Sequence, residues 1–188
     1  MHKLAGIGLA VLTIVVTGCA ATAVGVGAGA GVASASDTRG FSTVVSDQTL
    51  EHKVNSVLGA QVPNGSFTVA SYAAQVLVAG QVSNEADYDK VNNAVTNTQG
   101  VKKVWNYVTV GSKETLGDMS QDAYLTSAAK TRLIGQKEVN TNNIKVVTCA
   151  GVVYLLGNNA GKRHQVTAAI RGIKQIKGVK GVVNLIQF

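Results

Sequence analysis

The strongest constraint on the fold is an internal duplication, because one pattern of apolar segments occurs twice in the 188-residue chain. The two copies end in nearly the same sequence, GVKKVWN at residues 100–106 and GVKGVVN at residues 178–184. Each ending runs into a segment rich in β-branched residues, which favour strands. The duplication predicts two domains that share one architecture.

Within each copy, the spacing of apolar residues predicts a helix, a hairpin, a second helix and a last strand. The first helices are expected to open at Asp47 and near Ser120 or Asp122, since these side chains are good N-caps. Gly59 and Gly135 are expected near their ends. Small residues between two apolar runs predict each hairpin. The paired runs are 67–71 with 76–80, and 144–148 with 153–157.

The order helix, strand, strand, helix, strand occurs twice, which gives an α+β fold class. In each domain we expect two helices to cover one face of a three-stranded sheet, a common two-layer arrangement. The predicted segments are a signal peptide (1–18), a lipidated flexible tether (19–46), a first domain (47–110), a linker (111–121) and a second domain (122–188).

The start of the chain has the layout of a secretory signal, with Lys3, an apolar run and small residues before Cys19. The run is shorter than the roughly 20 residues that a membrane-spanning helix needs. With Cys19 next, the stretch resembles a bacterial lipobox. The resemblance implies cleavage before Cys19 and diacylglycerol on its sulfur. Because Ala20 rather than Asp follows, it also implies transport to the outer membrane.

Charge is distributed unevenly between the two copies. Residues 47–110 carry four Lys against five acidic residues, a net charge of −1, whereas residues 122–188 carry ten Lys and Arg against two acidic residues, a net +8. Such asymmetry predicts an anionic partner for the second copy. Export argues against nucleic acid, and for a lipid-tethered protein the nearest anionic surface is the membrane. The alternative is a solvated basic surface that only keeps the protein soluble.

The repeated strands ending in Gly80 and Gly157, together with the Gly-Val-Lys-x-Val-x-Asn endings, resemble the BON domain. Two such domains behind a lipobox resemble the dual-BON outer-membrane lipoproteins over nearly the whole mature chain. The resemblance implies a lipid-anchored outer-membrane protein whose folded domains lie in the periplasm.

The resemblance also implies that anionic phospholipids, such as phosphatidylglycerol or cardiolipin, bind the first helix of the second domain, which has an aromatic residue near its start. Tyr124 occupies that place. Its amphipathic ring suits the headgroup zone, and nearby basic side chains reach lipid phosphates. The predicted phospholipid-binding residues are Tyr124, Leu125, Ala128, Lys130, Thr131 and Arg132. The alternative for Tyr124 is packing against the other domain.

No sequence pattern predicts an enzyme, a metal site or a cofactor. His164 lies among basic residues, and the carboxylates near Asp87 start a helix, where they meet its dipole favourably. Cys149 is flanked by valines and is expected to be buried. The rival function is a protein-interaction adaptor for outer-membrane assembly or stress-response machinery, with the basic face meeting an acidic protein.

Overall fold

A computed structural model describes residues 40–136, 139–158 and 160–188. The predicted signal peptide, Cys19 and most of the predicted tether lie outside the described residues. The first half contains α1 (Phe41–Gln61), β1 (Ser66–Tyr72), β2 (Gln75–Val82), α2 (Glu85–Thr96) and β3 (Lys103–Val110). The second half contains α3 (Leu116–Ile134), a short 3-10 helix (Thr141–Asn143), β4 (Ile144–Cys149), β5 (Val152–Asn158), α4 (Arg163–Lys174) and β6 (Gly181–Gln187).

The two halves repeat one topology, as the duplication predicts. Each half has its own three-stranded sheet, in the order β1-β2-β3 and β4-β5-β6. The first two strands of each sheet are an antiparallel hairpin, and the last strand runs parallel to the middle one. The α+β class with two αββαβ units is therefore confirmed.

One face of each sheet is covered by its two helices. Apolar residues from β2 alternate, so that Val76 and Val78 face α1 and α2. Val153 and Leu155 of β5 face α3 and α4 in the same way. The helical residues of these cores are Leu50, Val54, Leu58, Val91, Ala94 and Val95 in the first domain, and Ala129, Leu133, Val166, Ala169 and Ile173 in the second. Their i, i+3, i+4 spacing explains why each helix buries one face.

The other faces of the two sheets pack against each other. The contact is made by the residues of β2 and β5 that alternate with those facing the helices, because both strands are apolar on both faces. The shared cluster contains Ala70, Tyr72, Leu77, Ala79, Cys149, Tyr154, Leu156 and Leu185. Trp105 packs beside it. The domains thus form four layers, helices outside and two sheets inside. The local sequence patterns do not predict this packing.

Polar contacts also join the two domains around the sheet interface. Lys145 of β4 forms an ion pair with Glu51 of α1. The amide of Gln187 donates a hydrogen bond of 3.0 Å to the side-chain oxygen of Gln75. The amide pair is exposed and the ion pair is only partly buried, so the apolar cluster, rather than these contacts, holds the two sheets together.

Both first helices begin earlier than the sequence predicts. Helix α1 begins at Phe41 and contains Gly59, and α3 begins at Leu116. Thr115 caps α3 in a capping box with Asp118. The predicted starts at Asp47 and at Ser120 or Asp122 are therefore wrong, and α3 takes up the second half of the predicted linker. Gly135 ends α3 as expected.

Asp47 has a different role, since its buried carboxylate holds the turn between β1 and β2. It accepts hydrogen bonds from Ser71 Oγ at 2.7 Å and from the backbone N–H groups of Ala73 and Ala74 at 2.8 Å. Both turn alanines have positive φ, 52° and 63°, as a two-residue hairpin of this hand requires. The carboxylate therefore fixes an otherwise strained turn to the first helix.

In the second domain, two carboxylates rather than one bind the N–H groups of the equivalent hairpin turn. Asp122 accepts from the N–H of Gly151, and Glu114 accepts from the N–H of Ala150, both at 2.8 Å. Glu114 lies in the segment between the domains, so the second hairpin turn is tied to the linker as well as to α3.

Cys149 is buried between the sheets, as predicted, with 3% of its surface exposed. Burial, and then the neighbouring Glu114 carboxylate, raise the pKa of its thiol to about 12. We expect the native mature chain, without Cys19, to react with iodoacetamide at pH 8 at least about a hundredfold more slowly than the urea-unfolded chain, because the thiolate reacts. Mass spectrometry of timed samples measures both rates. Similar rates would contradict a thiol protected in this way.

Candidate functional site

The candidate site is the outward face of α3, which the inward residues of the same helix position. Leu125, Ala129 and Leu133 recur every four residues and pack in the core. Asp122 extends the buried side toward the helix start. The opposite side of the helix is consequently held in solvent along its whole length, from Leu116 to Ile134.

The structure places most of the predicted lipid-contacting residues on this outward face. The side chains that are exposed are those of Tyr124, Lys130, Thr131 and Arg132. Ala128 is half-buried. Leu125 is 0% exposed. It was predicted to contact lipid, and we correct this, because a residue that fills the core cannot also meet a bilayer.

Tyr124 is 61% exposed, and its ring is free of the sheet interface. The alternative in which Tyr124 packs against the other domain is therefore excluded. The hydroxyl of exposed Thr131 donates a hydrogen bond of 3.0 Å to the carbonyl oxygen of Ser127 in the preceding turn.

Three further apolar side chains extend the site beyond the predicted residues. Leu116 is 82% exposed, Ile134 is 71% exposed, and Met119 is also exposed. Leu116 and Met119 precede the predicted start of the helix, which the Thr115-x-x-Asp118 capping box would have placed correctly. Ile134 lies inside the predicted helix but outside its apolar stripe of Leu125, Ala129 and Leu133. We call this set the α3 surface: Leu116, Met119, Tyr124, Ala128, Lys130, Thr131, Arg132 and Ile134.

The charged residues of α3 are placed so that they interact favourably with the helix dipole. Hydrogen bonds from the side chain and then the backbone of Thr115 lower the pKa of Asp118, so the first turn carries a firmly ionised carboxylate. Lys130 and Arg132 lie near the end of the helix. Negative charge at the start and positive charge at the end both stabilise a helix. Along α3, exposed large apolar side chains alternate with exposed polar residues such as Asp118, Ser120 and Ser127, and the basic residues come only toward the end of the helix.

The first domain presents a groove rather than an apolar surface. It lies between α1 and α2, has a volume of about 720 Å³ and includes His52, Lys53 and Val57 in its lining. Among the described residues, no cluster of His, Cys, Asp and Glu could hold a metal ion. Within the same residues, no helix has the length and apolar character to cross a bilayer.

Comparisons with known proteins identify the repeated unit. A sequence model of the BON domain matches the chain twice, at residues 46–112 and 121–188, which is more than half its length. The outer membrane lipoprotein DolP of Haemophilus influenzae is 34% identical over 179 residues, 94% of this chain and 91% of the relative. The 21 kDa hemolysin of Actinobacillus pleuropneumoniae is 30% identical over 155 residues, 81% of this chain and 79% of the relative. The chain therefore belongs to the BON-domain family, as an outer-membrane lipoprotein with two copies of the domain.

Proposed function

We propose that this protein is a non-enzymatic lipoprotein that binds anionic phospholipids through the α3 surface and thereby supports the integrity of the envelope. The observation that carries the proposal is the exposure of Leu116, Tyr124 and Ile134 on one helix. These large apolar side chains are exposed along about 27 Å of α3, a length that an extended surface would cover. The outer-membrane location puts a lipid surface within reach of this helix.

The chemistry of the α3 surface suits the boundary between headgroups and acyl chains. An amphipathic helix lies in that zone with its apolar residues buried and its basic residues at the phosphates. Leu116 and Ile134 would provide apolar burial, and Tyr124 would sit at headgroup level with its hydroxyl in water. Lys130 and Arg132 would each add about 1 kcal/mol beside an anionic bilayer.

We also propose that Cys19 carries the lipid anchor. The native protein is expected to begin at a diacylated Cys19, and Cys19→Ala is expected to accumulate with its signal peptide uncleaved. Mass spectrometry of the N-terminal peptide tests both statements. An unmodified Cys19 in protein extracted from membranes would refute the anchor.

Truncation of Tyr124 tests the surface itself. We expect Tyr124→Ala to weaken binding of the mature chain, prepared without its lipid, to phosphatidylglycerol vesicles by at least about tenfold, because a buried aromatic side chain contributes about 1.5–3 kcal/mol. Vesicle flotation at several lipid concentrations measures the change. Neutral phosphatidylcholine vesicles should bind poorly, and binding to anionic vesicles should fall as salt rises.

A matched control is Val45→Ala, which removes an exposed apolar side chain from the equivalent helix α1. We expect this variant to bind like the wild type. If Tyr124→Ala also binds like the wild type, the adaptor function becomes the better explanation. The groove between α1 and α2 would then be the first place to seek an assembly or stress-response protein partner.

A further inference from the structure

The positive charge of the second domain is concentrated outside α3. Helix α3 carries Lys130 and Arg132 against Asp118 and Asp122, so its formal charge is zero. Residues 162–180, which contain α4 and the turn after it, have no acidic residue. Their six basic side chains are all exposed: Lys162, Arg163, Arg171, Lys174, Lys177 and Lys180.

The helical periodicity that buries one side of α4 in the core leaves its basic residues on the exposed side. Val166, Ala169 and Ile173 face the sheet. Arg171 and Lys174 are three residues apart, so they share one side of the helix. Lys177 follows in the turn after α4. We call Arg171, Lys174 and Lys177 the α4 basic stripe. None of the three has an acidic partner within the part of the chain that the structure describes.

The basic stripe ends beside the turn of α3 that carries Tyr124. Gly178 directly follows Lys177 and packs closely on α3. A Cβ at Gly178 would lie 2.7 Å from Nε2 of Gln121 and 3.5 Å from Cδ2 of Leu125. Tyr124 belongs to this same turn of α3. Because both helices cover the same face of one sheet, a flat surface that meets Tyr124 is also within reach of the stripe.

We infer that the α4 basic stripe is the electrostatic half of the membrane-binding surface, in which Arg171, Lys174 and Lys177 bind the phosphate groups of anionic lipids while α3 makes the apolar contact. This inference rests on the proposed function. Charge complementarity supports it, since none of the three cations forms an ion pair among the described residues. The planar guanidinium of Arg171 suits a phosphate, which it contacts through two parallel hydrogen bonds.

The test combines Arg171→Gln, Lys174→Gln and Lys177→Gln in the mature chain prepared without its lipid. We expect its affinity for vesicles of phosphatidylglycerol mixed with phosphatidylcholine to fall about a hundredfold, since each basic residue contributes about fivefold near an anionic bilayer. The dependence of affinity on salt should also become shallower, because fewer charges take part. Circular dichroism and thermal melting confirm that the variant is folded.

The matched control combines Lys53→Gln, Lys90→Gln and Lys102→Gln, which removes the same charge from exposed positions of the first domain. It should bind within about threefold of the wild type. If the stripe variant also stays within that range with an unchanged salt dependence, the inference is overturned. The proposed function survives that result as long as Tyr124→Ala still weakens binding. If the triple variant unfolds, the single variant Lys177→Gln, at a position outside the helix, replaces it. Its affinity for the anionic vesicles should fall by about fivefold.

Discussion

Replacing Gly80 by alanine should destabilise the protein by at least about 3 kcal/mol. Gly80 lies in β2 with φ of 152°, a conformation that residues with a Cβ rarely adopt. An added Cβ would lie 1.9 Å from the carbonyl oxygen of Ser66 on the neighbouring strand. That contact is with backbone, so no rotamer change can relieve it, and β1 and β2 would have to separate.

Urea unfolding followed by circular dichroism measures the loss. The matched control is Gly59→Ala inside α1, where an added Cβ meets nothing within 4 Å. This substitution should raise stability by about 1 kcal/mol, because alanine favours a helix interior over glycine. A Gly80→Ala protein as stable as the wild type would show that the two strands are not held in this register.

Removal of the Asp47 carboxylate should have the next largest effect. Asp47→Ala leaves the N–H groups of Ala73 and Ala74 and the hydroxyl of Ser71 without this acceptor. Hydrogen bonds to a charged group contribute about 1.5–3 kcal/mol, and buried donors without partners are costly. We expect a loss of about 3 kcal/mol in the free energy of unfolding.

The matched control for this prediction is Asp89→Ala, which deletes an exposed carboxylate from α2. Surface substitutions of that kind usually change stability by less than about 0.5 kcal/mol. Asp47→Asn is a second comparison, because an amide keeps one acceptor oxygen and should lose less than Asp47→Ala. Equal stability of the Asp47→Ala and Asp89→Ala proteins would argue against a turn held by the buried carboxylate.

The order of the helices and strands could be predicted because local patterns encode it. Apolar residues at helical spacing mark α4, and small residues between apolar runs mark both hairpin turns. The helix starts could not be predicted from the same signals. Asp47 and Asp122 have the chemistry of N-caps, but their oxygens serve hairpin turns that are distant in sequence. The sequence alone does not show whether such a carboxylate caps the start of its own helix or binds a distant hairpin turn.

The packing of the two sheets against each other could not be predicted from local sequence patterns either. Leu77 and Leu156 are apolar residues on strands whose other face is apolar too, a pattern that fits burial against any partner. Only the three-dimensional arrangement shows that each domain is the other's partner. For the candidate site, the sequence supplied Tyr124 and the basic residues of α3. It did not indicate Leu116, which precedes the predicted start of the helix, or Ile134, which lies inside the predicted helix but outside its apolar stripe.

A tryptophan placed on α3 tests most directly whether this helix meets the membrane. Trp105 is the only tryptophan and packs beside the sheet interface, so the wild type is its own control. In a Tyr124→Trp protein that also carries Trp105→Phe, vesicles of phosphatidylglycerol with brominated acyl chains should quench the fluorescence strongly. The wild-type protein should be quenched little under the same conditions. Binding to the vesicles with no more quenching at position 124 than at Trp105 would contradict membrane contact through α3.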